Sequence, residues 1–139
     1  MNIRAFLLVL MLALTTSCAI NQSVQPSAVA DDALICIVED TDVREGFLEE
    51  LTKVLDEKNI NHRVVDKRAA LDCEWTMTYL GRWTWDLSLY MSYAEIKVFH
   101  HGQLDGQAVY DSTKGGFNLN KFIDAEPKIR ELVDELMQK

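Results

Sequence analysis

Between Cys73 and Trp85 the chain alternates with a period of two. Odd positions carry Cys73, Trp75, Met77, Tyr79, Gly81, Trp83 and Trp85, and even positions carry Glu74, Thr76, Thr78, Leu80, Arg82 and Thr84. Side chains along a strand point alternately to its two faces. The pattern therefore predicts a long strand with an aromatic, core-facing side and a largely wet, threonine-rich side. A second strand is expected over about Tyr90 to Phe99. Its apolar set, Ala94, Ile96 and Val98, falls on even numbers, whereas Leu87, Leu89 and Met91 just upstream are odd. That change of parity predicts a β-bulge or bend between Met91 and Ala94. Asp86 to Leu89 reads as a turn, His101-Gly102 as a hairpin turn, and Leu104 to Asp111 as the returning strand, followed by a glycine loop over Ser112 to Gly116.

Upstream the rhythm differs. Leu34-Ile35-Cys36-Ile37-Val38 is a continuous β-rich run, as in a strand covered on both faces. Phe47, Leu51, Val54 and Leu55 then recur on one helical face, which predicts a helix from about Val43 to Lys58. Asp42, with Glu45 three residues on, is the expected N-cap, and Asn59 the expected stop. His62 to Asp66 is a short strand. Strand, helix and strand in this order predict a parallel pair with a right-handed crossover. At the far end Ile129, Leu132, Val133 and Leu136 again share a helical face. Pro127 fits only a first turn, so this helix starts near Ala125. Leu119 to Asp124 reads as a short helical turn feeding it. The expected fold is α+β, of order β-α-β-β-β-β-α: a five-stranded mixed sheet with two amphipathic helices on one face.

The first residues carry a different signal. Met1-Asn2-Ile3-Arg4 is followed by an apolar run from Ala5 to Leu14 and then by Thr15-Thr16-Ser17-Cys18. The run is about ten residues, and a membrane-spanning helix needs about 20. The pattern is that of a secretory signal with a small-residue cleavage site ending on a cysteine. It resembles a bacterial lipoprotein signal, although Thr15 stands where such signals usually place an aliphatic residue. The resemblance implies removal of residues 1–17, acyl chains on Cys18 and, since Ala19 follows, export to the outer membrane of a Gram-negative cell. Residues 18–32, with Pro26 and no apolar period, then read as the lipidated cysteine and a flexible tether. From Cys18 to Ala33 it would reach roughly 50 Å at about 3.3–3.6 Å per residue. Residues 33–139 form one domain.

Charge narrows the partners. The chain has 14 basic and 22 acidic residues. Losing the signal removes only Arg4, leaving 13 against 22 and a net charge of −9. Nucleic acids demand the opposite sign, so no nucleic-acid partner is expected. With Cys18 acylated, Cys36 and Cys73 remain as a pair in an oxidising compartment, which makes them a candidate disulfide.

Other candidate chemistry is weaker. Glu39-Asp40-Thr41-Asp42 offers oxygen ligands for calcium, but a capped helix start with solvated charge accounts for it. His100 and His101 are good metal-ligand types, yet adjacent strand residues point to opposite faces and the rings are expected to diverge. Lys114-Gly115-Gly116 lacks the spacing of a phosphate-binding loop. No nucleophile elbow occurs, and a cysteine–histidine pair would need Cys36 or Cys73 with His62, which a disulfide abolishes. No metal, cofactor or catalytic residue is therefore expected. Most of the aromatic strand face should be core. Trp83 and Trp85, near its end, are the candidates for an exposed binding surface.

Several strings together resemble a known group: ICIVED, VREGFLEEL, DCEWTMTYLGRWTWDLSLYMSYAEIKVF and GGFNLNKFIDAEPKIRELVDEL. They resemble a family of small bacterial envelope lipoproteins known by a Shewanella locus-tag name, most specifically in Trp85-Asp86-Leu87, Tyr93-Ala94-Glu95 and Asn118-Leu119-Asn120-Lys121. That family has no established activity, so the resemblance implies location rather than mechanism. The element order is also similar, as a fold-level analogy only, to the αβ domains of the curli-secretion lipoprotein and the penicillin-binding-protein activator lipoproteins. The expectation is a non-enzymatic adaptor or assembly module. It is expected to be lipid-anchored on the periplasmic side of the outer membrane, with an envelope protein as partner. The alternative is a ligand-binding or inhibitor lipoprotein that captures glycan, peptide or a lytic enzyme at the Trp83/Trp85 surface.

Overall fold

The computed structural model describes residues 19–138, so the expected signal segment and the expected lipid attachment at Cys18 lie outside the described residues. The elements are β1 (Asn21–Gln25), β2 (Ile35–Val38), α1 (Glu45–Glu57), β3 (His62–Val65), β4 (Trp75–Asp86), β5 (Ser88–His100), β6 (Gln103–Asp111) and α2 (Ala125–Leu136). Short 3-10 turns at Ala69–Asp72 and Leu119–Lys121 interrupt the loops. The strands form one mixed sheet in the order β1-β6-β5-β4-β2-β3. β2 is parallel to both β3 and β4, and the other pairings are antiparallel. Among the described residues the fold is α+β with two helices, as expected, but with six strands rather than five.

The sixth strand comes from residues assigned to the tether. Asn21–Gln25 pairs with β6 from Asn21 opposite Asp111 to Gln25 opposite Gln107. Only Val24 is even half-buried in this strand, so no apolar alternation announces it. Backbone pairing with the free edge of β6 and side-chain bonds make the strand instead. The chain then crosses β6 closely. The Ser27 hydroxyl and the Ala28 amide both donate to the Asp105 carboxylate, and the Ser27 amide donates to the Leu136 carbonyl. A Cβ at Gly106 would lie 2.6 Å from that of Ser27, so glycine is needed where the chain passes over the strand.

The core lies between the sheet and the two helices. Trp75, Met77 and Tyr79 of β4 and Ala94, Ile96 and Val98 of β5 are buried in it, on the faces the alternation predicts. The helices cover them with Phe47, Leu51, Val54 and Leu55 from α1 and Ile129, Leu132, Val133 and Leu136 from α2. Phe47 stacks on Tyr79 with ring centroids 5.3 Å apart. The bulge is present. Arg82 pairs with Tyr93 and Trp83 with Met91, so Ser92 is the extra residue. It is buried and hydrogen-bonded to Thr84, with its carbonyl taken by Ser112.

The start of α1 departs from expectation. The Asp40 carboxylate accepts from the Asp42 amide at 3.1 Å, holding Asp42 in a turn ahead of the helix. Arg44 is the residue that flanks the first helical turn, and no side chain caps it. Asn59 ends the helix with a φ of 56°, a left-handed conformation that asparagine tolerates. Between the helices Arg130 of α2 donates to Glu50 at 2.8 Å and also to Glu57 of α1.

Candidate functional site

The strand registers place two hairpins at opposite ends of the sheet. At one end β4 and β5 run past the Arg82–Tyr93 pair to a turn at Leu87, whose φ is 63°. A bulky residue rarely takes this conformation, because its Cβ crowds the carbonyl. Trp85, Leu87 and Leu89 are 74%, 86% and 48% exposed there. The loop after β6 leaves the sheet at the same end and adds Phe117, 99% exposed, and Leu119, 73% exposed.

Lys121 joins the hairpin to the loop. It is buried, and its Nζ donates to the Asp86 carboxylate and, at 2.6 Å, to the Gly116 carbonyl. Its ammonium also lies 5.7 Å from the Tyr90 ring centroid and 5.1 Å from that of Phe122. Between hairpin and loop lies an open cleft of about 560 Å³ lined by Leu87, Tyr90, Phe117, Leu119 and Phe122 among others. Exposed apolar residues scattered singly are ordinary, whereas here five large ones are gathered at one end.

The two tryptophans proposed from sequence separate here. Trp85 is exposed on this apolar end. Trp83 is half-buried. It meets Phe47 edge-on at 6.5 Å, and the Arg44 guanidinium lies 5.4 Å from its ring centroid. Trp83 still packs against the start of α1, whereas Trp85, two residues nearer the turn, has no such cover. Leu87, Leu89, Phe117 and Leu119 were not among the sequence candidates. Their signal was available: large apolar residues inside segments that otherwise read as turns.

The chain reaches this same end from its N-terminal side. Asn21 pairs with Asp111, the last residue of β6, so Ala19 and Ile20 extend toward the apolar end. Ala19 and Ile20 line a second cleft with Asn118, Asn120 and Ile123.

The opposite end carries the disulfide and the histidines. Cys36 and Cys73 are bonded, tying β2 to the 3-10 turn before β4. Cys36 lies beside Thr76 on the face away from the helices, and Arg63 of β3 reaches over it, Nε to Sγ 3.4 Å. His100 closes β5 opposite Trp75, and the two rings stack with centroids 4.0 Å apart. His101 and Gly102 form the two-residue turn, with φ of 48° and 77°. Because His101 is left-handed rather than extended, the expected divergence of the two rings fails. The imidazoles lie 4.4 Å apart on one side, both facing Glu74.

The remaining sequence candidates stay apart from these groups. The Glu39–Asp42 carboxylates line a shallow cleft with Asp66, Lys67 and Arg68. His62 is hydrogen-bonded to the Ile60 carbonyl. Among the described residues no helix is long and apolar enough to cross a membrane.

No protein-family model matches the chain, and no curated protein matches it. Solved structures do share its fold. They include the PelC dodecamer from Paraburkholderia phytofirmans, with a TM-score of 0.58 and 12% identity over 86% of this chain and 98% of that one. A leucine-to-methionine variant of the same dodecamer gives 0.53 and 10% identity over 87% and 99%. At these identities the likeness is one of fold alone.

Proposed function

We propose that this protein is a lipid-anchored, non-enzymatic module of the bacterial envelope, held on the periplasmic side of the outer membrane with its apolar end against the lipid. The observation that carries the reading is a coincidence of place. The exposed Trp85, Leu87, Leu89, Phe117 and Leu119 share an end of the sheet with the N-terminal approach to β1. Only Ala19 and Ile20 separate Cys18 from Asn21. If Cys18 carries acyl chains, the domain hangs about 10 Å from them instead of the roughly 50 Å an unpaired tether would allow. Large apolar side chains then meet the membrane surface beside the anchor.

The acyl chains hold the protein in the membrane, since each buried methylene contributes about 0.8 kcal/mol. The apolar end therefore sets orientation more than retention. It leaves the half-buried sheet face, the β3 edge and the opposite end for an envelope protein or for further copies of the chain. Both solved structures named above are dodecamers, which favours the self-assembling form of this reading. A membership in the lipoprotein family known by its Shewanella locus-tag name belongs to the same proposal.

Two measurements on the full acylated chain in neutral phospholipid vesicles test it. Mass spectrometry first checks for acyl chains on Cys18. Brominated lipids should then quench tryptophan emission, and Trp85→Phe should remove most of that quenching. An acylated protein whose Trp85 stays open to aqueous quenchers would sink the orientation while leaving the anchor intact. In the second reading, the cleft of about 560 Å³ between hairpin and loop captures a glycan, a peptide or part of a lytic enzyme. Protection of Trp85 by such a ligand, and not by vesicles, would favour it. Crosslinking in intact cells followed by affinity capture would identify the protein partner.

A further inference from the structure

We propose that Glu74, His100 and His101 form a binding site for a divalent late first-row transition-metal ion, for which zinc is the probe. One donor atom from each residue lies within 4.8 Å of the other two. The His100 Nε2 is 3.0 Å, and the His101 Nε2 3.7 Å, from the same Glu74 oxygen. Two ligand atoms each about 2.0–2.1 Å from zinc stand roughly 3.3 Å apart at a tetrahedral angle, so the observed spacings bracket what one ion requires. Two imidazoles and a carboxylate suit zinc, copper or nickel better than calcium or magnesium. Three protein ligands leave one position for water or for a group from a neighbouring molecule.

The backbone holds the three residues in place. Glu74 directly precedes β4, and its carbonyl accepts from the His101 amide at 2.8 Å. Stacking on buried Trp75 fixes the plane of His100. The left-handed turn swings His101 onto the same side. Asparagine is the commoner residue at that position of a two-residue turn with both φ positive. A turn requirement alone therefore does not explain histidine there, and His101→Asn removes the ligand while keeping the turn.

The test uses the full chain in detergent, stripped of metal, in a non-coordinating buffer. Calorimetric titration with zinc should give one equivalent per chain. Copper should quench emission from Trp75, whose ring is stacked on a ligand. His101→Asn should unfold at the same temperature as the parent without metal, yet bind zinc at least about tenfold more weakly and lose the copper quenching. Glu74→Gln, an exposed position, should do the same and serves if the turn variant folds poorly. A parent that takes up no zinc, or variants that bind it as tightly as the parent, would overturn the site.

Discussion

The two hairpins of this sheet are built alike and display opposite chemistry. Each ends in a turn whose leading residue is neither glycine nor asparagine yet has a positive φ: Leu87 at one end, His101 at the other. Both side chains are largely exposed, Leu87 at 86% and the His101 side chain at 69%. At one end the neighbours are Trp85, Leu89, Phe117 and Leu119, and the result is an apolar surface. At the other they are Glu74 and His100, and the result is a cluster of imidazole and carboxylate groups. The fold supplies the position, and the residue in the turn decides what is displayed there.

The ends also differ in what holds them. The histidine end has a covalent staple, whereas the apolar end relies on Lys121 bonded to Asp86 and Gly116. Replacing Cys36 and Cys73 together by alanine is expected to have the largest effect, a loss of about 3–4 kcal/mol for a loop of this length. Urea unfolding measures it. The proposed zinc affinity should fall too, because Glu74 follows Cys73 directly, while the proposed contact of Trp85 with lipid should persist. Loss of that contact in the reduced or doubly substituted protein would show that the two ends are not independent.

Leu87→Asn should give a smaller effect of the opposite sign. A leucine in the left-handed region is strained by roughly 1–2 kcal/mol, and asparagine relieves part of this. Thermal unfolding should shift upward by an amount corresponding to about 1 kcal/mol, while quenching of Trp85 by brominated lipid declines. Strain kept at an exposed leucine fits a working surface better than a folding requirement. A variant less stable than the parent would instead make Leu87 part of the tip's packing.

Acid should have the mildest effect. Hydrogen bonds hold three carboxylates below their usual range: Glu57 through Arg130, Asp111 through Thr113, and Glu131 through Lys128 and then Gln22. A depressed carboxylate stabilises the fold in full above its unfolded value, and that contribution is lost as the pH falls through the folded one. Thermal unfolding should therefore be flat above about pH 5 and decline below about pH 4. Glu57 ties α1 to α2, and Glu131 ties α2 to Gln22 of β1, so amide exchange should rise first at these contacts. Protection lost first in the two hairpins would contradict this order.

Much of the architecture was legible because burial imposes a period. The alternation along β4 and β5, the parity change at Ser92 and the apolar faces of both helices all record which side of each element meets the core. The cysteine pair was legible as well, once its compartment was inferred. β1 was not, because a strand held by backbone pairing and by side chains such as Gln22 and Gln25 leaves no apolar rhythm. The N-cap failed for a local reason, since the Asp40 carboxylate engages the amide of Asp42.

By itself the sequence determined most of the elements, their faces and the net negative charge, because these depend on residue type and spacing alone. Only the tertiary structure decided what stands beside what. Strand register brought Asn21 to the end that carries Trp85 and Leu87, and a single positive φ turned His101 toward Glu74. Such neighbours are far apart along the chain or separated by one rotated peptide. No local period encodes either relation.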